Sequence, residues 1–584
     1  MKQDRRKASL RRTAALCCAL LLLPGSRALA QPPEREPAPW TLPLAQETPE
    51  IRFSHPGGVY EQHWLNVRVQ APAGYTLACT TDGSAPGLRD DRGCGDVLIH
   101  LEKRDSGYLL AHGEQMFCPL DRALPREDPE LPRGTVLRVA LLDRQGRVAA
   151  RETRIYYLGE NFARRWPGCL VLSLWTDPEN LLDEERGLLN PGQIYARWAE
   201  SEEGREAIRE GQWWRYESNA TQHGRAWERP CTLSIFDGQE TAAELSAGLR
   251  VNGGSSRRMS QKAFALYFRK DYGSKRLRLP LFAGTERSKS LVLQAGGDLA
   301  EGWKIKDCLL QSLAEGGAVT VARSRPAVLF LNGEYWGPCL LREKASDTLL
   351  QERFGIPERQ AVIIKNGSLE EGEGSDLALY RALAAFAGKD LSREDNYRAF
   401  CACADVDSFA AACAYRVYIG DGDWGWEQNE ILWRAREGTE EQCKWHWMLH
   451  DLGCSAGTYG DESTAADTDH FRRALDHYPL FASAMRNEDF RRLFYQYLRQ
   501  TAEELCAPER VERTAKEWET VWEKLMEDCY RRWELDPDAW DAGREDTLAF
   551  FRERKRFLLP AVVRDLRELE RNEKAGGPER NETE

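Results

Sequence analysis

The spacing of hydrophobic and polar positions changes character along this chain. From Ile51 to Gly159 apolar and polar residues alternate in short runs, such as Leu65-Asn66-Val67-Arg68-Val69, Tyr75-Thr76-Leu77-Ala78-Cys79-Thr80 and Val136-Leu137-Arg138-Val139-Ala140-Leu141-Leu142. Asp82-Gly83 and Gln145-Gly146 punctuate them as turns. Alternation with a period of two between turn signals predicts a small β-sandwich over residues 49–160. Beyond it the pattern is mixed. Cys169–Leu174 reads as a buried strand, and Leu249–Val251, Lys262–Phe268, Ala327–Leu331, Gly337–Leu341 and Ala361–Ile364 read as further strands. Helical spacing predicts a helix over 303–315 and a helical stretch over 376–418, with an apolar stripe through Phe409, Ala412, Cys413 and Val417. Heptad-like spacing predicts three more helices, over 480–505, 508–534 and 543–570. The expected class is α+β: a sandwich followed by one large mixed domain over 161–570.

The ends read differently. Residues 1–30 carry a basic start, a short apolar run and Ala28-Leu29-Ala30, the pattern of a secretory signal peptide. Residues 31–48 are a Pro-rich leader, and 571–584 a charged tail expected to be disordered. No later apolar run approaches the roughly 20 residues that span a bilayer.

Composition narrows the function. A chain of 584 residues is too long for one core, so two or three domains are expected. The formal net charge is −12. Removing residues 1–30 takes away seven bases and one acid, a net +6, which leaves −18. Such an acidic chain lacks the clustered Lys and Arg that nucleic acid requires. Nineteen Trp suit large aromatic cores or sugar-facing surfaces. Fourteen Cys follow the signal without a C-x-x-C pair, so a structural metal is not expected. Cys79 and Cys94 close a short loop and are the expected disulfide of the exported protein.

The chemistry concentrates in residues 415–457. Asp421, Asp423 and Asn429 lie in a Gly/Trp-rich loop after an apolar segment, and the strand Lys444–Leu449 runs into His450-Asp451-Leu452-Gly453. A carboxylate and an amide after one element, with a second carboxylate ending the next strand, is what phosphoryl transfer requires. The same pattern also reads as a polar turn followed by a hairpin. A glycoside hydrolase could use Asp423 and Asp451 as its paired carboxylates.

This loop resembles the N-x-D-W-P-x-N-N…W and W…D-x-D segments of the spore coat protein H (CotH) kinase family, an atypical secreted kinase group. Further pieces agree in order: Gly248–Arg257, Gln261–Phe268, Leu329–Gly337, Leu341–Lys344 and Val362–Gly367. The ordered motifs argue against the hydrolase. In the N-terminal region, SHPGGVY, TTDGSAPG and RGTVLRVALLD resemble the chitobiase/β-hexosaminidase C-terminal-type sandwich.

The resemblance implies a two-lobed, kinase-like domain of CotH type that uses ATP with Mg²⁺ or Mn²⁺. The protein substrate would lie in the cell envelope or spore coat, where the chain itself would be secreted. By matching motif positions, Asp423 is the catalytic orienter or base, and Asn429 and Asp451 are the metal ligands. Asp421 stands where the family has Asn, as an extra ligand or a turn cap. Arg257 and Lys262 of the Gly-rich hairpin, Glu343 at the hinge and Lys365 closing its strand are the nucleotide-side candidates. Gly453 replaces the second carboxylate of D-x-D. The alternative is therefore a catalytically degenerate CotH-like scaffold, a structural or glycan-binding protein of the surface or coat, with the sandwich on cell-wall glycan.

Overall fold

The computed structural model describes residues 49–575, except 87–90, 119, 121–124, 300–301 and 459–462. The expected signal peptide and leader, and residues 576–584 of the expected tail, lie outside the described residues. Its first five residues do not form a tail, because the last helix runs Pro537–Ala575.

The alternating N-terminal runs form two sheets. One has the strands Arg52–Phe53, Trp64–Gln70 and Asp96–Glu102; the other has five, ordered Gly58–Tyr60, Val148–Leu158, Thr135–Leu142, Thr76–Thr80, Asp91–Cys94. Val67, Val69 and Leu101 of the first sheet pack on Leu77, Val139, Leu141 and Leu158 of the second, so the domain is a β-sandwich. The register pairs Cys79 with Asp91 and Cys94 with Thr76. Three residues of offset along a strand is about 10 Å, beyond the Cα separation that a disulfide bridges. The Cys79–Cys94 expectation is corrected on that ground; the Cys94 side chain lies outside the described residues.

The sandwich is welded to the next unit. Tyr157 ends its longest strand inside the second core, against Phe162, Phe236 and Phe330, and Gly134 N–H donates to Gly333 O at 2.7 Å. That second unit is a closed barrel of seven strands, in spatial order Arg229–Asp237, Glu240–Asn252, Ala263–Tyr267, Ser290–Gln294, Glu334–Glu343, Ser324–Leu331 and Leu170–Trp175. Closure removes the exposed edges that an open sheet would present. Every residue from Glu334 to Glu343 is buried, because one face lines the barrel and the other is covered by the helix Pro508–Trp533.

After the barrel comes a four-stranded sheet, Ser368–Glu371, Ala361–Lys365, Ile431–Ala435, His446–Met448, in that order and all antiparallel. The helix Val406–Ile419 crosses behind it, with every residue from Ser408 on buried. Helices His470–His477, Pro479–Ala484, Glu488–Gln500, Pro508–Trp533 and Pro537–Ala575 follow. Most of the tryptophans serve the core: Trp166, Trp303, Trp336, Trp445, Trp522 and Trp533 are all fully buried, while Trp64 stands 57% exposed on the sandwich. No helix among the described residues is long and apolar enough to cross a membrane.

Candidate functional site

Register assembles the site. Lys365 pairs with Ile431, and Ile431 with Met448, so three strands end in one row. The residues just beyond that row are Asn429, Glu430, His450 and Asp451. Asn366 N–H donates to Glu430 O and Glu430 N–H to Asn366 Oδ1, both at 3.0 Å, which closes the end of the sheet.

The remaining part arrives from the buried helix. Gly420 ends Val406–Ile419 in the left-handed region, φ +67°, where a Cβ would also press on Phe550 and His470 at about 3 Å. The chain then turns into Asp421. Asp421 and Arg416 form a buried ion pair, and the Arg416 Nη2 donates to Asn429 O at 2.7 Å and His450 O at 2.8 Å. One guanidinium thus ties the helix end to both loops that carry candidate ligands. Gly422 N–H adds a bond to Cys454 O at 2.9 Å. Burial pushes the Asp421 carboxyl up and Arg416 opposes it. Asp421 also accepts the Asp423 N–H at 3.1 Å and so caps the turn.

Asp423 is half-buried, and its carboxylate accepts from Gln428 Nε2 and from Asn429 Nδ2, the latter at 3.0 Å. Asn429 Nδ2 also donates to Asp423 O at 2.9 Å. Both amide protons of Asn429 therefore face Asp423, which leaves Oδ1 as its one remaining polar atom for a cation. Asp451 is exposed. Glu427, Asn429, Asp451 and Ala456 all adopt positive φ, from 45° to 59°. Non-glycine residues in this region carry strain, and its concentration here marks a backbone held for its side chains.

Cationic side chains gather on the other side of Asp451. Lys365 is mostly buried; burial and Lys344 lower its pKa, opposed by Glu370 and Asp451. Lys344 pairs with Glu370 and sits over the Tyr267 ring of the barrel at 5.9 Å. Burial, then Lys365 and Arg342, hold His450 well below the usual imidazole range, so it is neutral there. Asp451, Asn429 and Lys365 are thus brought together, with Asp423 alongside. These groups suit a divalent ion bridging phosphates: an exposed carboxylate, an amide oxygen and a lysine.

Three candidates are not in this cluster, and each is spent on the protein itself. Arg257 is buried and donates to Gly253 O, Ala220 O and Gln222 O at 2.6, 3.2 and 2.8 Å; burial and Arg250 lower it to about 10. Lys262 is 2% exposed, with Nζ 3.3 Å from the Tyr216 hydroxyl. Glu343 accepts from Thr285 Oγ1 and Arg323 N–H at 2.9 Å and from Arg353 at 3.2 Å. Arg257 and Glu343 thus spend their charges on protein partners, and Lys262 is buried beside the Tyr216 hydroxyl.

Sequence reasoning missed the supports of the site. Asp307, on the helix Lys306–Leu313, is buried, pairs with Arg342 of the barrel and accepts the Leu452 N–H at 3.0 Å. Burial acts to raise its carboxyl, and Arg342, the Leu452 N–H and Gln311 together hold it below the usual carboxylate range. Lys306 donates to Ser455 O, Ala456 O and Thr458 Oγ1 at 3.0, 3.1 and 2.8 Å, and burial drops its pKa to about 7. The turn after Asp451 is therefore held from beneath by two neighbours in sequence. The available signal was three charges, Lys304, Lys306 and Asp307, placed early in the expected helix.

Glu430 was also missed. It is fully buried, accepts from Tyr478 Oη and, at 3.4 Å, from Trp447 Nε1, and burial pushes its pKa up to about 7. A folded-state pKa above the usual carboxyl value means the folded protein holds this proton more tightly. The stabilisation is complete below about pH 4.5 and is lost as pH rises through about 7. Glu430→Gln should flatten that part of the curve of melting temperature against pH between 4.5 and 7.5. An unchanged slope would place the titration elsewhere.

No curated protein matches the chain. The family model described as CotH kinase protein matches residues 249–558, from the Gly-rich hairpin of the barrel into the last helix. Asp423, Asn429, Asp451 and Lys365 all fall within it, on the loops and strand ends just described. Over half of its length, and throughout the part that builds this site, the chain belongs to the CotH kinase family.

Proposed function

We propose that this chain is a secreted CotH-type kinase that transfers the γ-phosphoryl group of ATP to Ser or Thr of a cell-envelope or spore-coat protein. The observation that carries the reading is the meeting of Lys365, Asn429 and Asp451 at one end of a sheet, with Asp423 beside them. Asp451 and Asn429 Oδ1 would hold Mg²⁺ or Mn²⁺, which when bound neutralises charge on phosphate oxygens. Lys365 would face those phosphates. Asp423 would orient the acceptor hydroxyl and accept its proton as the oxygen–phosphorus bond forms, while ADP leaves with the electrons of the broken bond. The test is transfer of labelled phosphate to the chain itself or to a generic acceptor protein. Incorporation that needs both ATP and the divalent ion is expected; none with any metal, from folded protein, sinks the reading.

Gly453, where the family has its second carboxylate, is not fixed as glycine by its surroundings. Its backbone is not in the left-handed region, and a Cβ there would meet only Asp451 Oδ1 and Leu299 Cδ1, both at an ordinary 3.9 Å. Gly453→Asp should therefore fold with an unchanged melting temperature and lower the metal concentration needed for half-maximal transfer. A higher metal requirement would count against Asp451 as ligand.

One surface favours the second reading, a glycan-binding scaffold. Trp64 lies 57% exposed beside His100, ring centroids 5.7 Å apart, on the outer face of the three-stranded sheet with Asn66 and the 62% exposed Leu98. An aromatic platform among hydrogen-bonding side chains suits a sugar ring. Trp64→Ala should abolish retention on insoluble cell-wall glycan if this face binds it, and retention that is unaffected would remove the reading.

A further inference from the structure

His446 sits in the strand that ends at the candidate site, but its side chain serves something else. The Nδ1 atom lies 2.9 Å from Asp405 Oδ2, and Nε2 lies 3.0 Å from the Glu441 carbonyl oxygen. Both partners only accept hydrogen bonds. A neutral imidazole has one N–H, so one of these contacts sets lone pair against lone pair unless a second positive centre is present. Stacking holds the ring in this plane. It stacks on Trp433 at 4.2 Å and 14°, and Phe354 stacks on Trp433 in turn at 4.4 Å.

A third ligand atom is at hand. Ligand atoms of Asp405, Glu441 and His446 all lie within 4.8 Å of one another. The His446 and Asp405 side chains are 12% and 19% exposed, while Glu441 reaches in from solvent at 62%. Lys444 holds Glu441 Oε2 at 2.9 Å, which leaves Oε1 to turn inward. The Nε2–H to carbonyl bond is the outer contact that fixes the tautomer of a metal-binding histidine and aims Nδ1 at the ion.

We propose that Asp405, Glu441 and His446 bind a divalent transition ion, Zn²⁺ foremost, separate from the nucleotide site. One imidazole and two carboxylates suit Zn²⁺, with metal–ligand distances of about 2.0–2.2 Å and an open position for water. An imidazole ligand disfavours Mg²⁺ and Ca²⁺, which take oxygen. The ion would act as a staple. Asp405 caps the helix Val406–Ile419 by accepting the Ser408 N–H at 3.1 Å, and the far end of that helix, about 21 Å away, delivers Asp421. His446 belongs to the strand that delivers Asp451. The ion would clamp both elements at the end opposite their functional loops.

The test uses the full chain carrying Asp451→Asn, so that the proposed nucleotide-site metal is absent and the result does not depend on kinase activity. Zn²⁺ alone should bind this protein with one equivalent and raise its melting temperature, and Co²⁺ should give visible absorption bands. Asp405→Asn keeps a good helix cap and removes the charge; His446→Gln keeps a planar polar group. Each should weaken Zn²⁺ binding by at least the 10- to 100-fold typical of losing an outer-shell partner. Exposed Glu441→Gln should weaken it without touching the metal-free melting temperature. No Zn²⁺-dependent shift and no Co²⁺ band would overturn the site. Binding undiminished in Asp405→Asn/His446→Gln would overturn it equally.

Discussion

Asp451→Asn should abolish the metal-dependent thermal stabilisation by ATP, while Asp423→Asn should keep that stabilisation and lose phosphate transfer. This is the expected split if the two carboxylates have different roles. Asp451 is exposed beside Lys365 and within electrostatic reach of Arg342, where a metal-bound phosphate would lie. A ligand that binds only the folded state raises its stability by mass action, so loss of the metal ligand removes the shift. Asp423 lies to one side, its carboxylate shared between Gln428 and Asn429. Its loss should cost on the order of 10²- to 10⁴-fold in rate, the usual contribution of a positioned acid or base. Both substitutions conserve shape, so neither opens a cavity. Melting curves with ATP over a metal titration, paired with labelled transfer, read the two effects separately. A wild-type protein showing no ATP shift at any metal concentration would reduce both residues to turn formers.

Arg416→Met is the second large effect, and it acts on the scaffold. Its removal leaves the Asp421 carboxylate buried without its cation and takes the donor from the carbonyls of Asn429 and His450. Breaking a buried pair from one side costs about 3–5 kcal/mol, because the remaining charge is uncompensated. The loss should appear as a lower urea midpoint at unchanged slope. Arg416→Met/Asp421→Leu removes both charges and should recover most of the midpoint, since an apolar pair of similar volume is often as stable. It should not recover the ATP shift, because the guanidinium that bonds the carbonyls of both residue 429 and residue 450 is gone. A double variant that regains nucleotide binding would show that Arg416 holds no geometry.

Local pattern carried much of this protein. The alternation around Val67, Leu77 and Val139 is a property of a half-buried sheet, and it gave the sandwich. The order of short motifs gave the family, and the spacing around Asp423, Asn429 and Asp451 gave the loops, because a motif is residue type at fixed positions. The closed barrel was not legible from the strands alone. Its closure rests on a parallel pairing of Ser324–Leu331 with Leu170–Trp175, strands some 150 residues apart, which no local period encodes.

The partners of charged side chains were also settled only by the tertiary structure. Arg257, Lys262 and Glu343 look like nucleotide ligands by residue type and neighbourhood, but a charge goes to whatever acceptor or donor packing places beside it. For these three that is the backbone near 220, the Tyr216 hydroxyl and Arg353. The reverse holds for Arg416, Asp307 and Lys306, which no motif marks. They became supports of the site because the fold laid the ends of distant strands against them. Sequence determines which chemistry a position can offer; burial and register decide which partner it meets, since in a low-dielectric interior every charge must be answered by a neighbour.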